Sequence, residues 1–420
     1  MTRTLLFASV TLLVAPLPQA RRPSCAADNA GLTLQPGFCA LVVAESIGPA
    51  RHLVVLENGD LLVATAGPRG GVRLLRDTTG DGKADVVSSF GAGLGGGTGI
   101  AFAGEYLYFA TNDAVVRWHW QIGQLTPTGG GAPDTVVSGL TNRRQHAAKS
   151  IVVGSDGMLY VTIGAPSNSC QKVDRTPESP GQDPCPILDI AGGVWRFDPR
   201  HGGQTQADGQ RYATGLRNTV ALAVDPGTGA VFAAQHGRDQ LAANWPKLYT
   251  DEQSAELPAE VVFKLEAGGD YGWPYCYYDW RKRQNILQPE YGGDGKTPGR
   301  CDVAPKPVVA FPGHWAPDGM AFYNNRHFPI KYRGGLFIAF HGSWNRAPLP
   351  QAGYKVMFVP IARGLATGAA EVFADGFAGK DVTPNGARYR PTGVAVGPDG
   401  SLYVTSDQGE GAVFRILSQQ

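Results

Sequence analysis

The sequence predicts an all-β chain folded as a six-bladed β-propeller. A hairpin pattern recurs six times along the chain, a third strand usually follows it, and the composition is that of a turn-rich β protein. Glycine at 57 and proline at 31 of 420 residues are high. They come without a collagen-like period and beside many Val, Tyr, Phe and Trp, which points to turns between strands and not to disorder. The 43% hydrophobic content is enough for a large core. Length alone leaves room for two or three domains, but one repeat running along the chain argues for a single propeller. The formal net charge of +1 indicates neither a nucleic-acid tract nor an acidic tail, so no nucleic-acid partner is expected.

The chain opens with "MTRTLLFASVTLLVAPLPQA". Arg3 supplies a positive start, and residues 5–17 form an apolar run of 13 residues. That run is too short to span a bilayer and has the length of a signal-peptide core. A signal peptide over 1–27 is therefore expected, with cleavage after Ala20 or after Ala27 and a single domain over 28–420. Cys25 lacks the small-residue context of a lipoprotein site, and no second apolar run of spanning length follows. The expectation is a periplasmic or secreted protein with no stable membrane insertion.

The six cysteines are Cys25, Cys39, Cys170, Cys185, Cys276 and Cys301. None forms a C-x-x-C pair, which speaks against zinc ribbons and c-type haem. Export and an even count argue for disulfides. Fifteen pairings are possible in principle; the local set Cys25–Cys39, Cys170–Cys185 and Cys276–Cys301, each tying down a loop, is the one expected.

The repeat itself begins with "HLVVLENGDLLVATAG" from His52, "TGIAFAGEYLYFATND" from Thr98 and "KSIVVGSDGMLYVTIGA" from Lys149. It continues with "NTVALAVDPGTGAVFAAQHG" from Asn218, "DGMAFYNNRHFPIKYRGGLFIAFHG" from Asp318 and "TGVAVGPDGSLYVTSDQG" from Thr392. Each has an apolar strand, a Gly/Asp/Asn turn and a second strand rich in Leu, Tyr, Phe and Val, which is hairpin chemistry. Third strands follow as "GVRLLRD", "AVVRWHW", "GVWRFDP", "EVVFKLE", "YKVMFVP" and "GAVFRIL". A generic β-sandwich would not require its hairpins to share one word; a propeller does. The segment "GFCALVVAES" is expected to complete the last blade and close the ring.

In a propeller the residues before each first strand and after each second strand lie at one end. Those segments supply Arg51, His52, Gly97, Thr98, Gln145, His146, Arg217, Asn218, Trp315, Asp318, Arg388 and Arg390. From the second strands come Asn112, Asp113, Ala165, residues 236–239, residues 341–346 and Asp407. Buried charges are costly unless paired, so cations from several blades converging on one cavity suggest an anionic guest, and arginine suits carboxylates. Any one of these arginines, taken alone, reads equally as a solvated or inter-blade paired residue, and His146 alone reads as structural. The functional reading rests on convergence.

Four stretches carry a resemblance: "QHAAKSIVVGSDGMLYVTIGAPSNSC", "YATGLRNTVALAVDPGTGAVFAAQHGRDQL", "GLFIAFHGSWNRAPLPQAGYKVMFVP" and "ARYRPTGVAVGPDGSLYVTSD". They resemble the glucose/sorbosone dehydrogenase family, exported six-bladed propellers that use pyrroloquinoline quinone (PQQ) with calcium, and more the sorbosone-dehydrogenase-like branch than the soluble glucose dehydrogenases. The likeness runs from about Gly31 to Ile416. It implies His146 as catalytic base, and Arg217, Asn218, Arg388 and Arg390 as cofactor contacts. It also implies backbone carbonyls of Gly237 and Arg238 as calcium ligands and, on a looser match, His341, Asn345 and Arg346 as further polar contacts. The chemistry is coherent. A flat molecule with three carboxylates calls for several cations, calcium calls for oxygen ligands, and a neutral histidine can take a hydroxyl proton.

Two departures stand out. Ala165 replaces an aspartate that soluble glucose dehydrogenases place near the base, and Thr98 replaces a Gln, Asn or His. The expected activity is oxidation of an aldose hemiacetal or a sorbosone-like aldehyde. Electrons would pass to an external acceptor, because no haem motif is present. The alternatives are a calcium-dependent lactonase, which needs a carboxylate-rich axial site, and a carbohydrate-binding propeller without catalysis.

Other signals are weaker. Asp77, Asp81 and Asp85 in "RDTTGDGKADVV" resemble a short calcium loop without its closing glutamate, and a tight turn is the competing reading. "GGDYGWPYCYYDW" from Gly268, placed between the fourth and fifth blades, offers aromatics either for stacking on sugars or for packing a disulfide-pinned loop. "LGGGTG" from Leu94 is not a phosphate loop, since no helix or suitably spaced lysine follows.

Overall fold

The computed structural model describes residues 23–128, 131–143 and 145–419; most of the segment expected as a signal peptide, residues 1–22, lies outside them. Six sheets of four or five strands form the blades of the described chain, beside two two-stranded sheets. The first four blades start from inner strands Ala50–Val55, Ile100–Ala103, Ile151–Val153 and Thr219–Val224, the last two from Pro317–Phe322 and Pro391–Val396. Each inner strand pairs antiparallel with the next strand in sequence. Neighbouring inner strands touch in ring order, so the six blades close around one axis. The closure is the expected one: Phe38–Glu45 pairs with the C-terminal strand Ala412–Ser418 as the outer strand of the sixth blade.

Blades pack face to face, so strands are covered on both faces and read as continuous apolar runs, not as alternation. The second strands Leu61–Thr65, Leu159–Ile163, Leu336–Phe340 and Leu402–Ser406 are buried along their whole length. The six largest apolar clusters each lie between two neighbouring blades. Turns at the far end use glycine at left-handed positions, as at Gly157 (φ 73°) and Gly400 (φ 81°). At the opposite end, four inner strands shift register, across Ala50/Leu53, Thr219/Ala221, Pro317/Gly319 and Pro391/Val394. Bulges of this kind re-aim side chains, and they fall where Arg51, His52 and Asp318 stand.

All three expected disulfides are present, Cys25–Cys39, Cys170–Cys185 and Cys276–Cys301. The first keeps Cys25 in the folded unit, so cleavage after Ala27 would remove a bonded cysteine whereas cleavage after Ala20 would retain it. Among the described residues no helix is long and apolar enough to cross a membrane.

The aromatic insertion is placed differently from expectation. It lies inside the fourth blade, between third strand Glu260–Lys264 and outer strand Val309–Phe311, a strand too short to be conspicuous in sequence. Its Tyr271, Trp273 and Tyr277 are buried, so the packing reading holds and these rings offer no face to a sugar. In the aspartate-rich turn, the Asp77 carboxylate accepts from the backbone N–H groups of Thr79, Gly80 and Gly82 at 3.1, 2.7 and 2.7 Å. Its oxygens close a turn.

Candidate active site

At the bulged end, a cavity of about 270 Å³ opens between the third, fourth and fifth blades. Beside it a second cavity of about 490 Å³ is lined by Arg51, Thr98, Asn112, Ala148 and Asp407. Small-molecule sites span roughly 300–1,000 Å³, and each of the two cavities is of that order. His146, Arg217, Asn218 and Gly237 line the first cavity together, joined by Gln145, Arg175, Asp239, Glu260, His314, Trp344 and Asn345.

His146 precedes inner strand Ile151–Val153 and adopts a left-handed backbone (φ 55°), a conformation that a non-glycine residue holds only where its surroundings fix it. Those surroundings are visible. A Cβ on Gly164 would stand 2.6 Å from the His146 Cβ, so only glycine admits this approach. The Ala165 N–H donates to the Arg217 carbonyl at 2.7 Å, locking the end of one blade's second strand to the start of the next blade. His146 Nδ1 lies 2.5 Å from the Ala165 carbonyl. A carbonyl only accepts, so Nδ1 carries the proton and Nε2 presents a free lone pair. The orienting carboxylate that Ala165 removes is thus replaced by the alanine's own backbone oxygen. Burial, then the Arg217 charge, pushes His146 down to about 3, so the ring is neutral at ordinary pH.

Arg217 is 3% exposed. Its Nε donates to the Asn168 carbonyl at 3.1 Å, Nη1 to the Gly237 carbonyl at 2.7 Å, and Nη2 to Asn168 Oδ1 and Asp239 Oδ2 at 3.0 and 2.9 Å. Asp239 also accepts from Arg175 Nη2 at 3.1 Å and from Asn345 Nδ2 at 2.9 Å. Burial opposes its ionisation, yet Arg217, His314 and Arg175 hold it well below the usual carboxylate range. Glu260 behaves oppositely, with burial raising it to about 7. Burial also opposes a charge on His236, but the Asp318 carboxylate 3.0 Å from Nε2 outweighs this and raises it.

The expected convergence of arginines is smaller than the sequence implied. Arg346 is buried away from the cavity, donating to Glu256 and to the carbonyls of Ala255, Gly313 and Pro350. Arg390 donates to the carbonyls of His341 and Gly342 at 3.1 and 2.8 Å, and Arg388 is exposed, 4.9 Å over the Tyr389 ring. None of the three is among the residues that line the chamber. His341 Nε2 donates to Asp407 Oδ1 at 2.8 Å. Arg51 bridges Asp318 and Asp407 at 3.1 and 2.6 Å. The Arg238 guanidinium is fully buried on Glu290 and Gln288, and the Gly237 carbonyl already serves Arg217.

The chamber's second guanidinium is Arg175, which sequence reasoning missed. It belongs to the loop closed by Cys170–Cys185 and ties Gln145 Oε1 (3.0 Å) to Asp239. The signal was available, since this loop continues the segment after the blade's second strand, where the reading stopped at Ala165. Trp273 of the aromatic insertion packs with Ala165, Cys170 and Cys185, behind the segment that holds His146.

A family model described as TrAA12-like matches residues 32–419. A pyrroloquinoline quinone-dependent pyranose dehydrogenase of Coprinopsis cinerea is 26% identical over 425 aligned positions, covering 90% of this chain and 54% of that protein. A pyrroloquinoline quinone-dependent sugar dehydrogenase of Hypocrea jecorina (strain QM6a) is 24% identical over 324 positions, covering 72% of this chain and 71% of that protein. The calcium structure of the Trichoderma reesei family AA12 carbohydrate-active enzyme superposes with a TM-score of 0.76 at 20% identity, covering 96% of this chain and 99% of that one. That last likeness establishes the fold. The chain spans about half the length of the first curated relatives it matches, 48% and 54%.

Proposed function

The chain belongs to the TrAA12-like family, and from that premise we propose that it is an exported sugar dehydrogenase working with pyrroloquinoline quinone and an external electron acceptor. The observation that carries this reading is one chamber in which His146, its Nδ1 proton fixed on a carbonyl, faces the same space as Arg217, Asn218 and Arg175. The donor set suits the quinone: two guanidinium groups and the side-chain amides of Asn218, Gln145 and Asn345 face a group with three carboxylates. When bound, the quinone would supply the two-electron oxidant for removal of hydride from the substrate's carbinol carbon.

The chain's own residues do the rest. His146 Nε2 takes the proton of the sugar hydroxyl, and its neutral resting form keeps that lone pair available. Gly164 and Ala165 hold the ring in place, and Asp239 fixes both guanidinium groups, so little reorganisation accompanies the reaction. No step is assigned to calcium, because the Gly237 carbonyl given to that ion by resemblance receives Arg217 Nη1 at 2.7 Å here. Export fits the three disulfides.

The test is to purify the chain, titrate it with pyrroloquinoline quinone with and without calcium, and measure dye reduction with aldoses and sorbosone. Quinone-dependent dye reduction is the expected result. Lactone hydrolysis without quinone, or glycan binding with no turnover, would replace the reading.

A further inference from the structure

Trp344 combines two properties that rarely coincide. It lines the chamber beside Asn345, yet it is 67% exposed. The chain has eight tryptophans, and the other seven are buried or half-buried. Its indole meets no ring and no hydrogen-bond partner among the described residues. Every neighbour, by contrast, is fastened. Arg390 holds the carbonyls of His341 and Gly342. The Ser343 hydroxyl donates to Gln351 Oε1 at 2.7 Å, and its carbonyl accepts from the Tyr354 hydroxyl at 2.5 Å. Asn345 reaches Asp239, and Arg346 is a buried anchor. A rigid strap therefore presents one large apolar ring at the lip of a polar cavity, leaving its surface in water when no ligand is bound.

A pyranose ring matches this arrangement. One of its faces is a patch of C–H groups that packs on an indole, and its rim is a ring of hydroxyls that suits amides and carboxylates. Asp239 and Glu260 supply such carboxylates around the same cavity. We propose that Trp344 is the platform on which a ring-form sugar stacks as it enters, so that the site selects the aldose hemiacetal over an open-chain aldehyde. This rests on the dehydrogenase reading above and sharpens its substrate class. Arg390, implied by resemblance as a cofactor contact, becomes the staple that sets the platform's height.

The experiment compares the wild type with Trp344→Ala and Trp344→Phe in two assays. In the first, tryptophan fluorescence of the quinone-free protein is titrated with glucose, galactose and fucose. Quenching is expected in the wild type and absent in Trp344→Ala, and this holds whether or not the protein turns over. In the second, the quinone-loaded protein oxidises the same pyranoses and glyceraldehyde, which has too few carbons to form a pyranose. Trp344→Ala should raise KM for pyranoses roughly tenfold, leave kcat within about twofold and leave KM for glyceraldehyde unchanged, with Trp344→Phe restoring most of the loss. Quenching equal in wild type and Trp344→Ala, or KM rising equally for pyranoses and glyceraldehyde, overturns the platform. A chain that shows the quenching difference but reduces no dye sinks the dehydrogenase reading and leaves the platform standing.

Discussion

His146 and His341 stand on different walls of the same mouth and meet different partners. His146 Nδ1 meets a neutral carbonyl at 2.5 Å, whereas His341 Nε2 meets the Asp407 carboxylate at 2.8 Å, with Asp318 at 4.0 Å from Nδ1. The carbonyl fixes the His146 tautomer and leaves Nε2 facing the chamber, whereas the Asp407 carboxylate engages His341 through Nε2 itself. The arginines divide in the same way. Arg217 and Arg175 face the chamber, whereas Arg346 and Arg390 close on Glu256 and on backbone oxygens. Residue type is alike on the two walls; the partners differ, and on the proposed reading the wall of His146 is the one that reacts.

The largest effect should come from exchanging the two histidines for glutamine. On the proposed reading His146→Gln removes the base and should cost about 10²–10⁴-fold in kcat. His341→Gln, which keeps a hydrogen-bonding group toward Asp407, should stay within about tenfold of wild type. Dye-coupled rates on quinone-loaded protein measure both. Equal losses would mean that the walls are not functionally distinct.

Next in size is the structural wall itself. Arg346→Met leaves Glu256 buried with Arg281, at 3.3 Å, as its remaining ion-pair partner among the described residues, and leaves the carbonyls of Ala255 and Gly313 without their Arg346 donor. Breaking a buried pair this way costs about 3–5 kcal/mol, readable as a lower urea midpoint at unchanged slope. Loss of turnover without loss of stability would move Arg346 to the reacting wall.

A smaller effect lies in pH. Burial lowers His146 from its ordinary 6.5 to about 3 and His52 to about 4. As pH falls below about 6.5 the unfolded chain takes up these protons before the folded chain does, so their share of stability is complete above 6.5 and is lost toward pH 3–4. The melting temperature of the quinone-free protein should therefore fall between pH 6.5 and 4, and less steeply in His146→Gln. Identical slopes in the two proteins would show that the His146 ring is not held neutral.

The blades were legible because each hairpin repeats the same turn chemistry and the same apolar strands, and the closing strand Phe38–Glu45 was readable as an orphan apolar run needing a partner. His146, Arg217 and Asn218 were legible for a related reason. They occupy fixed positions beside strands, so topology alone brings them together. What could not be read was the choice of partner. Nothing in "ARYRPTG" tells whether an arginine points at a ligand or at a carbonyl, since that depends on loops from other blades. Arg175 and Trp344 escaped notice because they sit on long connections whose path is set by a disulfide and by side-chain staples, not by strand register.

The finest discrimination concerns two arginines separated by one residue. Arg390 donates to two carbonyls, those of His341 and Gly342, whereas Arg388 is exposed and lies over the face of Tyr389 at 4.9 Å. Arg388→Ala should change stability by no more than about 0.5 kcal/mol and quinone affinity by less than about twofold, both measured by titration followed with thermal melts. Arg390→Ala should cost more, because two carbonyls lose their donor and the strap beneath the indole loosens, at about 1–3 kcal/mol. A tenfold loss of quinone affinity in Arg388→Ala would mean that this arginine swings inward when the cofactor arrives. The mouth would then own a cation that its resting geometry keeps outside, and the division between reacting and holding walls would have to be redrawn around a moving residue.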